Sequence, residues 1–350
     1  RDWRLIPMAA AQKTIGVGII GLGMGRNALR INADTNSRLE VRAICDVSED
    51  SISMVASEYP DGDIFQTTEY RKILDRADID VVGIYSPDHL HFKHLSDALE
   101  AGKHVICTKP LVVSLDEAKA TVDLVRRTGL KFLVGQTCRF VPRFMAAKEL
   151  LDSGDLGELL FVDSHYVHDM RPVFDRTPWR YEAPQDFMYG CVCHPVDLLR
   201  WVAGDVEEVF CYGSESGMDP RYPKGQMDNF FITLKFKSGV LGRILAVYGL
   251  VEPPRLPMNG LSVYGTKGSF VEDTAVFDRF AGQPEWNMKF RPEPGHGNEV
   301  LRYMRHFEEC LLEDKRPSVD EIEGAKCIAV CSAAWESVAS GQPAKVFNDF

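Results

Sequence analysis

At 350 residues the chain is long enough for two domains, each with its own core. Hydrophobic residues make up 45% and charged residues 26%, the profile of a folded protein; a net charge of −11 without a concentrated Lys/Arg stripe argues against a nucleic-acid partner. Nine cysteines, an odd number spread along the chain, speak against a disulfide framework and for a reducing, cytoplasmic setting. No apolar run reaches the ~18 residues of a membrane helix. Residues 1–7 read as an extension ahead of a natural start at Met8, with no secretory signal visible.

From Thr14 to about Val134 short apolar runs alternate with helix-like stretches. Strands are expected at Ile15–Ile20, Leu39–Cys45, Val81–Tyr85, His104–Cys107 and Lys131–Val134, with helices at Ser51–Glu58, His91–Ala101 and Leu115–Thr128. Such alternation implies a parallel sheet covered on both faces. Ala101-Gly102 and Thr128-Gly129 mark helix stops, and Ser114 with Glu117 reads as a capping box. After Gly157 the texture changes. Leu159–Tyr166, Glu208–Tyr212, Asn229–Phe236, Val240–Tyr248, Leu261–Tyr264 and Ser269–Glu272 read as strands of a largely antiparallel sheet. Helices follow at about Asn298–Leu312 and Asp320–Ser340, and Glu252–Pro257 and Gln283–Gly295 read as long surface loops.

Two glycine patterns overlap near the start. The literal GxGxxG, Gly16 to Gly21, lies inside the first strand and cannot form a phosphate-facing turn. The loop Gly21-Leu22-Gly23-Met24-Gly25-Arg26 follows that strand and precedes a helical stretch from Asn27. There Gly21 permits the turn and Gly23 lets the backbone approach a pyrophosphate. Arg26 stands where a third small residue would allow close helix–strand packing; either Gly25 supplies that closeness or Arg26 turns outward or toward a phosphate. Asp46 ends the second strand 25 positions after Gly21, where a carboxylate accepts hydrogen bonds from ribose hydroxyls and repels a 2′-phosphate. NAD is therefore favoured over NADP, although a strand-end Asp capping a turn is an equal reading of Asp46 taken alone.

The segment Pro87-Asp88-His89-Leu90-His91 resembles the Pro-Asn-x-x-His turn of the Gfo/Idh/MocA oxidoreductases, and Gly102-Lys103-His104-Val105 through Lys109-Pro110 is similar to their Gly-Lys-His-Val-x-x-Glu-Lys-Pro. Arg139-Phe140, Gly154-Asp155-Leu156-Gly157, His194-Pro195-Val196-Asp197 and Gly265-Thr266-Lys267-Gly268 follow in the family's order, so the resemblance spans roughly residues 14–346. It implies a Rossmann domain at 13–139 and, at 140–350, an α/β substrate-binding domain with a large open, mostly antiparallel sheet, the C-terminal segment being free to pack back on the first domain. It also implies assembly into homodimers or homotetramers through that sheet.

For the cofactor the expected contacts are Gly21, Gly23, Met24, Asp46, Ser86, Pro87, His91 and Lys109. By the resemblance, Lys109 puts a positive charge beside the reacting oxygen, a cis Pro110 would shape the backbone after it, and His194 is the acid/base group. Substrate candidates from matching positions are Arg139, Tyr166, Trp179, Arg180 and His296, with Asp197 either facing the cleft or capping its helix. Two departures stand out: Thr108 replaces the family Glu before the lysine, and Gly190 replaces an Asp four residues before the histidine, with Tyr189 or Asp186 as conceivable substitutes. No metal site is expected, because His89, His91 and His94 lack a carboxylate to complete a ligand set. The implied activity is NAD-dependent hydride transfer at a secondary ring hydroxyl of a sugar, cyclitol or glycoside. An NAD-dependent glycosidase working by transient oxidation at C3, and a catalytically silent NAD-binding regulator, are the alternatives.

Overall fold

The computed structural model describes residues 14–59, 63–183, 186–253, 256–278 and 297–350. The first domain is a parallel sheet of β1 (Ile15–Ile20), β2 (Leu39–Cys45), β3 (Phe65–Thr67), β4 (Val81–Ile84), β5 (His104–Thr108) and β6 (Phe132–Gly135). Their spatial order is β3-β2-β1-β4-β5-β6, so the chain reverses direction across the sheet between β1 and β4. A crevice opens at such a switch point, beyond the carboxyl ends of the strands. Gly16 and Gly18 have packing reasons for their places in β1. A Cβ on Gly16 would lie 1.9 Å from the Asp78 carbonyl oxygen, and one on Gly18 would lie 2.3 Å from the Ile73 side chain. The three-residue β3 is too short to show in the apolar pattern.

The helices start where polar side chains can satisfy their free N–H groups. Ser48 caps Glu49–Ser57, and Ser114 accepts from the Glu117 N–H to open Leu115–Thr128, which stops at Gly129 with φ 67°. Glu117 closes the exchange one residue early, on the Val113 N–H at 3.4 Å. The helical stretch expected from Asn27 starts two residues earlier and winds as a 3-10 run from Gly25 to Ala33. Its end is pulled to β2 by Asn32, whose side-chain amide makes both bonds of a pair with the Val41 backbone.

The second sheet comprises β7 (Leu159–Val167), β8 (Val206–Ser214), β9 (Asn229–Phe236), β10 (Leu241–Val247), β11 (Asn259–Gly265), β12 (Gly268–Val271), β13 (Thr274–Phe277) and β14 (Ala344–Lys345). Their order is β13-β12-β11-β7-β10-β9-β8-β14. Every neighbour pair is antiparallel except β7 with β10. Alternation in β9 and β10 buries Phe230, Ile232, Leu234, Phe236 and Ile244 on one face and leaves Phe231, Leu241 and Leu245 exposed on the other. Against the buried face lie helices Cys193–Ala203 and Glu321–Ser340.

The last part of the chain returns to the first domain. Helix Gly297–Leu312 inserts Val300, Tyr303, Met304 and Phe307 into the first core, while Glu321–Ser340 contributes Ala325 and Ile328 to that core and Cys327, Val330 and Cys331 to the second. Tyr303 bonds the buried Tyr85 hydroxyl at 2.8 Å, directly behind the glycine loop. Among the described residues no helix is long and apolar enough to cross a membrane.

Glu272 lies in the two-residue turn joining β12 to β13, at φ 59°, with Arg143 and His165 beside its carboxylate. Burial pushes its carboxyl from about 4.5 up to about 7, with Arg143 pulling the other way. The folded chain thus holds this proton more tightly than the unfolded one. Its contribution to stability is complete below about pH 4.5 and is lost as pH rises through about 7. Glu272→Gln should match the parent near pH 4 and exceed its stability near pH 8, in urea unfolding across about that pH range.

Candidate active site

The glycine loop is held open from behind. Gly21 has φ 90°, and a Cβ there would sit 2.6 Å from the Tyr85 carbonyl, so only glycine fits. Gly23 faces open space, with no atom within 4 Å of where its Cβ would be. Gly25 lies against Ile19 and the Tyr85 ring, which would stand 2.9 and 3.0 Å from a Cβ placed there, and so provides the close approach normally given by a third glycine. Arg26 and Met24 are exposed. Asp46 accepts the Leu22 N–H at 2.8 Å and the Ser48 N–H at 3.0 Å. It therefore shapes both the glycine loop and the following turn, and each oxygen retains capacity for a further donor. A bare backbone at Gly23, a helical N-terminus behind it and a carboxylate at the end of β2 fit a dinucleotide.

On the other side of the switch point, β4 runs into Ser86-Pro87 and β5 into the cis peptide Lys109–Pro110. His91 bolts these two turns together. Its Nδ1 lies 2.7 Å from the Pro110 carbonyl oxygen and its Nε2 2.9 Å from that of Ser86. Both nitrogens of this buried ring face backbone carbonyls, and because burial disfavours the charged form, a single N–H donates to one of them; the ring is packed between the two turns and shapes the cofactor wall. The Ser86 hydroxyl pairs with His94 Nδ1 at 2.8 Å, and burial brings His94 down to about 4. His91 and His94 thus turn to different partners, and among the described residues no group of three His, Cys, Asp or Glu side chains is placed to hold a metal ion.

Lys109 Nζ donates to the Gly190 carbonyl at 2.7 Å. Gly190 belongs to a π-helical turn, Met188–Val192, that leads into helix Cys193–Ala203 and its His194. Such wide turns leave carbonyls outside the regular ladder and recur at functional sites. A backbone oxygen thus holds the lysine in place of a carboxylate at this position. Asp186 is committed elsewhere, accepting from Met188 N–H and from Trp335 Nε1 at 3.0 Å.

His194 is buried, with Cys138 Sγ 3.6 Å from its Nδ1 and the Tyr166 ring edge-on at 5.5 Å. Burial raises the Cys138 thiol to about 12 and the Cys191 thiol to about 11, against the pull of the nearby Lys109 charge, so both remain protonated. Trp179 and Arg180 stack, the guanidinium carbon 4.3 Å from the ring centroid. Burial lowers the Arg180 pKa, while Cys191, Asp88 and Tyr166 oppose that shift from within electrostatic reach. Lys109, His194, Tyr166, Trp179 and Arg180 therefore gather around the same junction as Cys138, Cys191 and Asp88. Those last three were not among the residues expected from the sequence. Asp88 had a signal in its place beside Pro87; Cys138 had none, and Cys191 stood only in a Cys191-x-Cys193-His194 run too short to bind a metal.

Arg139 and Asp197 do not line the cleft. They form a buried pair at 2.7 and 2.8 Å, and Arg139 also reaches Glu323 at 2.9 Å and the Ser318 carbonyl at 3.3 Å. With its donors so used, the guanidinium has no face toward a substrate, and Asp197, in the body of its helix, is not a cap. His296 lies outside the described residues.

Comparison with known proteins matches residues 15–136 to the oxidoreductase family with an NAD-binding Rossmann fold and residues 144–271 to the GFO/IDH/MocA C-terminal domain. The uncharacterized oxidoreductase YrbE of Bacillus subtilis is 29% identical, over 95% of this chain and 97% of its own length. The scyllo-inositol 2-dehydrogenase (NAD(+)) of Bacillus subtilis is 26% identical, over 79% of this chain and 80% of its own. In fold, levoglucosan dehydrogenase solved with NADH and levoglucosan superposes with a TM-score of 0.82 at 23% identity, covering 96% of this chain and 100% of that one.

Removing one partner of a buried ion pair strands the other. Arg139→Met should therefore cost about 3–5 kcal/mol in unfolding free energy, whereas Arg139→Met combined with Asp197→Leu should cost less than Arg139→Met alone.

Proposed function

The chain belongs to the GFO/IDH/MocA oxidoreductase family and carries its NAD-binding Rossmann domain, and from that premise we propose that it moves a hydride between a secondary ring hydroxyl of a sugar or cyclitol and NAD. NAD, when bound, supplies the hydride acceptor or donor at its nicotinamide. The glycine loop from Gly21 to Gly25 receives the pyrophosphate, Asp46 the adenosine ribose, and the Ser86-Pro87 turn the nicotinamide side. The names of the inositol and levoglucosan dehydrogenase relatives support the substrate class.

Oxidising an alcohol requires removal of the hydroxyl proton and stabilisation of the alkoxide that develops. His194 takes the proton, since a ring nitrogen of imidazole can accept it and return it in the reverse direction. Lys109 provides the positive charge at the oxygen. Its hold on a neutral carbonyl rather than a carboxylate leaves that charge uncancelled. What supports this reading is that Lys109, at the end of the first domain's β5, donates to the Gly190 carbonyl in the turn that leads to His194, and that both side chains act on Cys138. Tyr166 and the Trp179–Arg180 pair offer an aromatic wall and a guanidinium to the ring.

The same reading includes a cytoplasmic protein, supported by nine buried free cysteines, and a homodimer or homotetramer formed through the open sheet. Supporting that assembly, the sheet's outer face exposes Tyr212, Phe231, Leu241, Leu245, Tyr264 and Val271, apolar side chains that a second copy would cover.

Absorbance assays across a panel of sugars, cyclitols and glycosides should show NADH formation; silence throughout, with NAD demonstrably bound, would count against the proposal. Lys109→Ala should lower turnover by on the order of 10²–10³-fold while NAD binding stays measurable by fluorescence. Asp46→Ala should weaken NAD and narrow its preference over NADP by about tenfold, or about 1.4 kcal/mol, in the same binding assay.

A further inference from the structure

Cys138 and His194 meet across the domain junction. The cysteine lies in the short turn Thr137–Phe140 that ends the first domain, and the histidine in the first turn of Cys193–Ala203 in the second. Their side chains approach to 3.6 Å, Sγ to Nδ1, within the range of a sulfur hydrogen bond. Both residues are buried, at 3% and 6% exposure, so water is a poor competitor for that nitrogen. Tyr166 abuts the imidazole edge-on, which restricts rotation of the ring.

We propose that Cys138 is a positioning residue that holds neutral His194 in its Nδ1–H tautomer, so that Nε2 carries the lone pair presented to the substrate hydroxyl. This inference rests on the reading of His194 as the acid/base group. The direction of the hydrogen bond follows from that acid/base role. If the thiol donated to Nδ1, the ring proton would reside on Nε2 and that atom could not accept the substrate proton. With Nδ1–H donating to sulfur, the same bond persists after Nε2 is protonated, so the ring need not reorient during the reaction.

A thiol differs here from the carboxylate that often supports a catalytic histidine. Burial pushes the Cys138 thiol up, Asp197 and Glu299 add to that rise, and Lys109 and Arg143 pull against it without reversing it, so the thiol stays neutral. A neutral acceptor fixes the tautomer without the large rise in imidazole basicity that an adjacent anion brings. It also leaves the charge of Lys109 unopposed at this point of the site. The contact joins the two domains, so their relative placement and the protonation geometry of His194 are coupled.

Nitrogen-15 NMR of histidine-labelled protein with NAD added, at a pH above the imidazole titration, reads the tautomer directly, and His194→Gln identifies the signal. The parent should show Nδ1 protonated and Nε2 unprotonated. Cys138→Val keeps the volume without the acceptor. It should move the ring toward the Nε2–H form and lower kcat by about ten- to a hundredfold with KM and NAD affinity little changed. Cys138→Ser, which restores an acceptor, should recover part of both signals. Should the valine variant fail to fold, Cys138→Ala serves the same comparison. An Nε2–H tautomer in the parent, or an unchanged tautomer and kcat in the variants, overturns the proposal. Full turnover by His194→Gln would instead overturn the acid/base reading beneath it.

Discussion

The buried ion pair between Arg139 and Asp197 is the constraint on which the site's geometry depends. Arg139 lies in the turn after β6 of the first sheet, Asp197 one helical turn beyond His194, and Glu323 joins them from the C-terminal helix. Arg200 and Lys326 extend the network to Asp205 at 3.1 and 2.8 Å. Charges buried in this way are costly unless each has its partners in good geometry, so the network tolerates few arrangements of the three elements. The lysine and the histidine come from different domains, and this network fixes the distance between those domains beside both. Asp320 adds to the rigidity by capping the helix that carries Glu323, accepting from Ile322 and Glu323 N–H at 2.9 Å.

The cofactor side is built on close backbone approach instead of charge. Gly21 and Gly25 both lie against Tyr85, whose hydroxyl is tied to Tyr303 in a helix 218 residues later in the chain. The C-terminal helices thus brace the glycine loop from behind while also packing into the second core. A two-domain description at 139/140 follows the chain; in space, Val300 to Phe307 complete the first core.

Much of this was legible in the sequence because it is local or periodic. The parallel strands, the Ser114 cap, the Gly129 stop, the displaced glycine loop and the alternation in β9 all depend on residues within a few positions of one another. What was not legible depends on distant partners or on backbone atoms. Arg139 and Asp197 matched substrate positions by motif, yet they stand 58 residues apart in sequence and satisfy each other. His91 looked like a cofactor contact because its two carbonyl partners cannot be inferred from side-chain identities. Gly190 read as a loss, since a carbonyl has no letter in the sequence, and the π-helical turn that aims it at Lys109 has no compositional mark. The short strands β3, β13 and β14 exist mainly because neighbours are there to pair with them.

The central claim is that Lys109 and His194, held on separate domains, act on one hydroxyl. The most direct test is a crystal structure with NAD and a ring polyol that the protein oxidises. It should show a single secondary hydroxyl within hydrogen-bond reach of both Lys109 Nζ and His194 Nε2, its carbon facing nicotinamide C4. A hydroxyl above the nicotinamide that neither side chain contacts would contradict the account.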